Sequence, residues 1–197
     1  MRRLTPVVVL ALLVAGCGGD RRSGRETPPV GATATSGTAT VTTAPAPAAP
    51  TTGAIRARPA ELSAYREIRM VVTGADGTTK EYCLLLADTD ALRNHGLMNV
   101  TDLGDYAGMV FRFGKPVSVN FYMRDTLLPL SIAFFDEAGR LVSTSDMEPC
   151  PASAKNCPLF GASRPFADAL EVPLGELASL GIVAGAGVRF GGSCPTL

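Results

Sequence analysis

The chain is poor in the residue that serves most metal and acid–base chemistry: its 197 residues include a single histidine, His95. A zinc site built on paired histidines is therefore excluded. Neither an H-E-x-x-H metalloprotease helix nor a G-x-S-x-G nucleophile elbow occurs, and no C-x-x-C pair is present. Charge of one sign is also lacking, since 18 Lys+Arg balance 18 Asp+Glu. With no basic stripe along the chain, nucleic acid is not the expected partner. The sequence carries no internal repeat, which argues against a solenoid or propeller. Its most apolar run, residues 7–15, is too short to span a bilayer as a helix.

That short run has the length of a signal h-region, and Arg2 and Arg3 precede it as a positive n-region. Directly after it stands Val14-Ala15-Gly16-Cys17, which resembles the bacterial lipobox, with Val in place of the usual Leu three residues before the cysteine. The resemblance implies removal of residues 1–16 as a signal peptide and a diacylglyceryl thioether on Cys17. The expected location is extracytoplasmic, with the membrane as a partner through that lipid. Two or three acyl chains anchor stably, because each buried CH₂ contributes about 0.8 kcal/mol.

Residues 17–60 hold Thr, Ala, Pro, Gly, Ser and Arg, with only Val30, Val41 and Ile55 as large aliphatics. Such a segment buries too little apolar surface to offset its chain entropy, so a disordered linker is expected. As a flexible coil it reaches roughly 35–40 Å. Its arginines, Arg21, Arg22 and Arg25 among them, make it mildly basic, a charge suited to anionic headgroups. The remaining stretch, 61–197, has 11 Lys+Arg against 16 Asp+Glu and is long enough for one packed domain.

Four cysteines lie in that domain: Cys83, Cys150, Cys157 and Cys194. An even number in an exported chain favours disulfides. Three pairings are open; the preferred one closes Cys150–Cys157 as a short loop and Cys83–Cys194 as a long one.

From residue 66 the pattern predicts strands over 66–72 and 80–86, parted by the turn signal Thr73-Gly74-Ala75-Asp76-Gly77. Asp88, Thr89 and Asp90 are N-cap candidates for a helix through 91–93, with Gly96 as its stop. Further strands are expected at 108–113, 117–123, 130–135, 140–145, 166–172 and 188–190, and a short second helix at 174–180. Strands at this spacing predict an all-β, antiparallel sandwich or barrel with one prominent helix. Phe111, Phe113, Phe121 and Phe135 are expected to fill one face.

Several ordered pieces carry a resemblance. They are Arg93-x-x-Gly96-Leu97-Met98, Gly108-Met109-x-Phe111-x-Phe113 and Phe121-Tyr122-Met123-x-x-Thr126-x-x-Pro129-Leu130. Phe135-Asp136-x-x-Gly139, Pro149-Cys150 and Ala169-Leu170-Glu171-Val172-Pro173 with Gly175 follow. Together, over about residues 65–190, they resemble domain-of-unknown-function family 192, apart from Tyr122, where that family usually has Trp. The resemblance implies an antiparallel β-sandwich or barrel with one prominent helix, in a family whose members are often exported. It implies no activity.

Three groups carry candidate chemistry. Arg93, Asn120, Arg124, Asp125 and Thr126 form a polar set, with Asp136 and Glu171 as partners; the expectation is a small cleft for a sugar or peptide fragment, with Arg93 pairing Asp125 or Glu171. Met98, Met109 and Met123 are soft thioether ligands suited to Cu(I), and equally common core fillers. No nucleophile stands with a base, so no catalytic residue, cofactor or resident metal is assigned. The function expected is a non-enzymatic envelope module that binds a small ligand, a glycan or an envelope protein. The alternatives are an enzyme or accessory factor acting on cell-wall carbohydrate, and a copper-handling lipoprotein. The sequence fixes no oligomeric state.

Overall fold

The computed structural model describes residues 55–197. The lipobox and most of the linker lie outside the described residues. Among the described residues no helix is long and apolar enough to cross a membrane.

A 3₁₀ turn, Ala60–Leu62, leads into strands β1 (Arg66–Thr73) and β2 (Thr79–Ala87), and an α-helix, α1 (Asp90–His95), the only one among the described residues, follows. Then come β3 (Met109–Val117), β4 (Asn120–Phe121), β5 (Leu130–Phe135), β6 (Leu141–Met147), β7 (Phe160–Gly161), β8 (Phe166–Pro173) and β9 (Gly187–Phe190). Seven strands form one sheet in the order β6-β5-β8-β3-β2-β1-β9, and β4 pairs with β7 in a two-stranded ladder.

The fold is mostly β, as expected, but the sheet is mixed rather than antiparallel. β2 and β3 run parallel, with Leu85, Leu86 and Ala87 opposite Met109, Val110 and Phe111. Residues 88–108 between them, α1 included, supply the long return that a parallel pair requires. Nor is the sheet a closed barrel. Its edges meet at one isolated antiparallel bridge, Arg140 to Gly187. There the Val188 N–H donates to the Gly139 carbonyl at 2.9 Å. Gly139 has φ +73°, and a Cβ on it would lie 1.8 Å from the Val188 oxygen, so only glycine fits.

Both faces of the sheet are covered. Side chains alternate along a strand, so each central strand feeds two cores. On one side Ile68, Met70, Val72, Leu84, Leu86, Val110, Ala133, Phe135, Leu170 and Val172 pack with Leu177, Leu180 and Ile182 from the 174–186 segment. On the other, Leu85, Ala87, Met109, Phe111, Leu130, Ile132, Phe134 and Ala169 pack beneath Leu97, Val100, Leu103 and Tyr106. All of β5 is buried, which explains why Leu-Ser-Ile-Ala-Phe-Phe is apolar apart from Ser131, whose hydroxyl donates to the Asp146 carboxylate.

Several local expectations are corrected. α1 is six residues long, not a prominent helix, and the strand expected over 117–123 shrinks to β4, Asn120–Phe121. Residues 174–180 form successive turns, not a helix; Gly175 and Gly181 both sit at φ +85°, a conformation that stops helical propagation. Phe135 does not share the face of Phe111 and Phe121. It packs on the opposite core against Phe190, at 5.7 Å between ring centroids, while its neighbour Phe134 joins Phe121. One residue of offset along a strand exchanges the two faces.

Two disulfides staple the domain. Cys83 on β2 joins Cys194 near the C-terminus, and Cys150 joins Cys157, with Cα–Cα distances of 5.0 and 5.7 Å. Ordered packing begins before residue 61, because the Arg58 guanidinium donates to the Tyr106 hydroxyl, the Tyr65 carbonyl and Glu67.

Candidate functional site

A cavity of about 400 Å³ lies between α1, the C-terminal half of β3 and the segment leading into β4. α1 is positioned by its caps. The Thr89 hydroxyl accepts from the Leu92 N–H at 3.2 Å, and Gly96 ends the helix at φ +52°. A Cβ at Gly96 would press to 3.3 Å from the Phe111 ring, so this glycine lets the helix end sit close on β3.

The floor holds the buried carboxyl of Glu171, 5% exposed. Its place follows from the pleat of β8: it shares the face of Ala169, with Met109 opposite it on β3 and Ile132 on β5. No hydrogen-bonding partner to this carboxyl is found among the described residues. Burial therefore pushes its pKa up to about 8, leaving it mainly a neutral carboxylic acid at neutral pH. Tyr65 is buried nearby, and its hydroxyl donates to the Gly96 carbonyl at 2.7 Å. Burial, then the Glu171 charge, raise its pKa to about 12.

The walls combine aromatic and polar groups. Phe121 is the hub of an aromatic cluster, edge-on to Phe111 at 5.1 Å and to Phe134 at 5.7 Å, with Phe166 at 6.3 Å. Thr126 is buried on the wall, and Asn120 is exposed at the mouth with Asn94, His95 and Lys115. Arg93 lies over the Phe113 ring at 5.0 Å, donates to the Arg112 carbonyl at 2.6 Å and pairs with Asp90.

Of the five predicted site residues, Arg93, Asn120 and Thr126 line this cavity together. Arg124 lines a shallower depression with Tyr122, Asn156, Cys157 and Leu159. Asp125 lines neither; it adopts φ +56°, and its carbonyl accepts from the Asn99 N–H at 2.8 Å. Arg93 thus pairs with neither of the expected acids. Asp136 lies elsewhere, bound to Arg140 and Arg164. Glu171, expected only as an ion-pair partner, is instead the unpaired centre of the floor. The available signal was a charge within the apolar stretch Ala169-Leu170-Glu171-Val172 of β8.

The three methionines differ in burial. Met98 is half-buried on the cavity wall, whereas Met109 and Met123 are fully buried in the core beneath. Among the described residues one cluster has metal-ligating side chains within 4.8 Å of one another: Glu67, Cys83 and Cys194. Its two sulfurs are bonded to each other, so it offers no thiolate.

Residues 71–190 match the family model DUF192, described as uncharacterized ACR. The chain belongs to this family. Among solved structures, two are similar to it. A protein of unknown function from Novosphingobium aromaticivorans DSM 12444 is 31% identical, with a TM-score of 0.58 over 69% of this chain and 93% of that one. A protein from Sinorhizobium meliloti 1021, provisionally described as a transcription regulator, is 28% identical, with a TM-score of 0.56 over 64% of this chain and 95% of that one. No curated protein matches the chain. In DUF192 terms, both halves of the cavity, α1 to β3 and β4 to β8, fall inside the matched region.

Proposed function

We propose that this DUF192 protein is an exported, lipid-anchored binding module that takes a small polar ligand, such as a sugar or short peptide fragment, into the Glu171 cavity. One observation carries the reading: a concave site of ligand size, with aromatic walls, a few polar groups and a buried carboxyl at its floor. The Val14-Ala15-Gly16-Cys17 sequence after a short apolar run supports the anchor, and the two disulfides fit an oxidising compartment. The test is calorimetric titration of the full-length chain in detergent micelles with saccharides and cell-wall peptide fragments. A binder is expected, and it is lost when Asn120→Ala and Thr126→Val are combined. A panel with no binder, or binding indifferent to that double substitution, defeats the reading. Mass spectrometry of the native protein tests the anchor: an unmodified Cys17 behind an intact Met1 defeats it.

A second reading, an enzyme acting on carbohydrate, draws on the same carboxyl, because a protonated Glu at neutral pH is the form in which a general acid works. The second carboxylate on this cavity, Asp90, is exposed at the rim and already paired with Arg93. Chromogenic glycosides separate the two readings: turnover abolished by Glu171→Gln supports the enzyme, and binding without turnover supports the module.

A further inference from the structure

We infer that the cavity selects an uncharged ligand group presenting a hydrogen-bond donor beside an acceptor, an amide or a pair of hydroxyls, and that Glu171 holds it as a carboxylic acid. The inference rests on the small-ligand reading of this cavity and specifies what the ligand offers.

The argument begins with the company Glu171 keeps. Its strand neighbours, Met109 and Ile132, are apolar and buried. Each titratable or charged group around the cavity is either engaged elsewhere or held at the mouth. The Tyr65 hydroxyl donates its hydrogen bond to the Gly96 carbonyl. Arg93 is bound by Asp90 and the Arg112 carbonyl and lies over Phe113, and Asp90 is bound in return. His95 and Lys115 are exposed on the rim. No cation therefore reaches the floor to hold a carboxylate there, and a buried charge without a partner is strongly disfavoured.

A protonated carboxyl has a different use. Its hydroxyl donates and its carbonyl accepts, from two oxygens fixed in one plane. Among the described residues neither oxygen has a partner, and no side-chain oxygen sealed from the surface lacks one. The two oxygens thus face the cavity. A ligand group with a matching donor and acceptor satisfies both without burying a charge. The neutral side chains of Thr126, Asn120 and Asn94 continue the same kind of contact toward the mouth.

The test uses the full-length chain in detergent micelles, with ¹³C-labelled glutamate carboxyls and the Glu171 resonance assigned by Glu171→Gln. Three probes differ in charge: N-acetylglucosamine is neutral with an amide, glucosamine is an amine, and glucuronate is an anion. Binding of the neutral probe is expected to move the Glu171 titration midpoint upward. Above the unliganded midpoint its affinity should fall about tenfold per pH unit, since only the acid form binds. Glu171→Gln keeps a donor and an acceptor, so it should bind like the parent and lose the pH dependence, whereas Glu171→Leu should lose binding. The inference is overturned if glucosamine binds best and lowers the midpoint, if Glu171→Gln loses as much as Glu171→Leu, or if no probe moves the midpoint. A probe that moves no midpoint, yet is lost on combining Asn120→Ala and Thr126→Val, overturns the acid role alone and leaves the cavity reading standing.

Discussion

Met109 and Glu171 stand opposite each other across the β3–β8 ladder, so the one carboxyl buried among the described residues has a thioether residue, not a cation, as its strand partner. The same residue has Ile132 on its other side. A site with that surround stores an electrostatic cost that appears only when the proton leaves.

Folding stability is therefore expected to decline with rising pH across a defined window. Glu171 titrates near 4.5 when unfolded and near 8 when folded. Below about 4.5 both states hold the proton and the residue costs nothing. Between the two values the unfolded chain releases a proton that the native state keeps, so stability falls, by roughly 1.4 kcal/mol per pH unit at most; above 8 it levels off. Glu171→Gln should flatten this slope. Urea denaturation of both proteins at several pH values measures it, and parallel slopes would show that another group is responsible.

Removing the two disulfides should have unequal effects. Cys83–Cys194 spans 111 residues and Cys150–Cys157 only 7. On the loop-closure model, losing the long link costs about 4–5 kcal/mol and losing the short one about 2–3. Paired Cys→Ala variants compared by chemical denaturation give the order, and a larger loss from the short link contradicts it.

Gly139→Ala should be far more damaging than Gly175→Ala. Both glycines have positive φ, which alone costs alanine about 1–2 kcal/mol. At Gly175 nothing lies near the added methyl, while at Gly139 it overlaps the Val188 carbonyl. Gly139→Ala must break the Arg140–Gly187 bridge, and thermal unfolding should drop accordingly. Equal melting temperatures for the two variants would refute the close approach.

Arg93→Ala should cost about 1 kcal/mol, through the lost bond to the Arg112 carbonyl and the lost stacking on Phe113. Asp90→Ala should cost less than about 0.5 kcal/mol, since its carboxylate is almost fully exposed and such pairs contribute little. Arg93→Lys should recover only part of the loss, because an ammonium lacks the planar face. A melting series over the three variants decides it.

Much of the fold was legible because local chemistry agreed with the tertiary result. The turn at residues 73–77 placed the β1–β2 hairpin, Thr89 capped α1, and Gly96 ended it. Strand order was not legible: nothing in residues 88–108 states that the chain returns beside β2 in parallel. The 174–180 stretch misled because its leucines have helical spacing, whereas Leu177 and Leu180 anchor a string of turns to the core and Leu174 is exposed. Arg93, Asn120 and Thr126, expected as parts of one polar set, line one cavity. Glu171 was undervalued, since a carboxylate in a sequence suggests a salt bridge, and only three-dimensional packing reveals that no cation arrives.

The lone rung between Arg140 and Gly187 leaves the sheet with a seam. Strands β5, β8, β3, β2 and β1 each have a neighbour on both sides, whereas β6 and β9 have a full ladder on one side only. Local opening starts where the fewest backbone bonds must break. The molecule thus has a soft line along its two edge strands, and breathing there leaves the strand that carries Glu171 sealed, since β8 is held between β5 and β3.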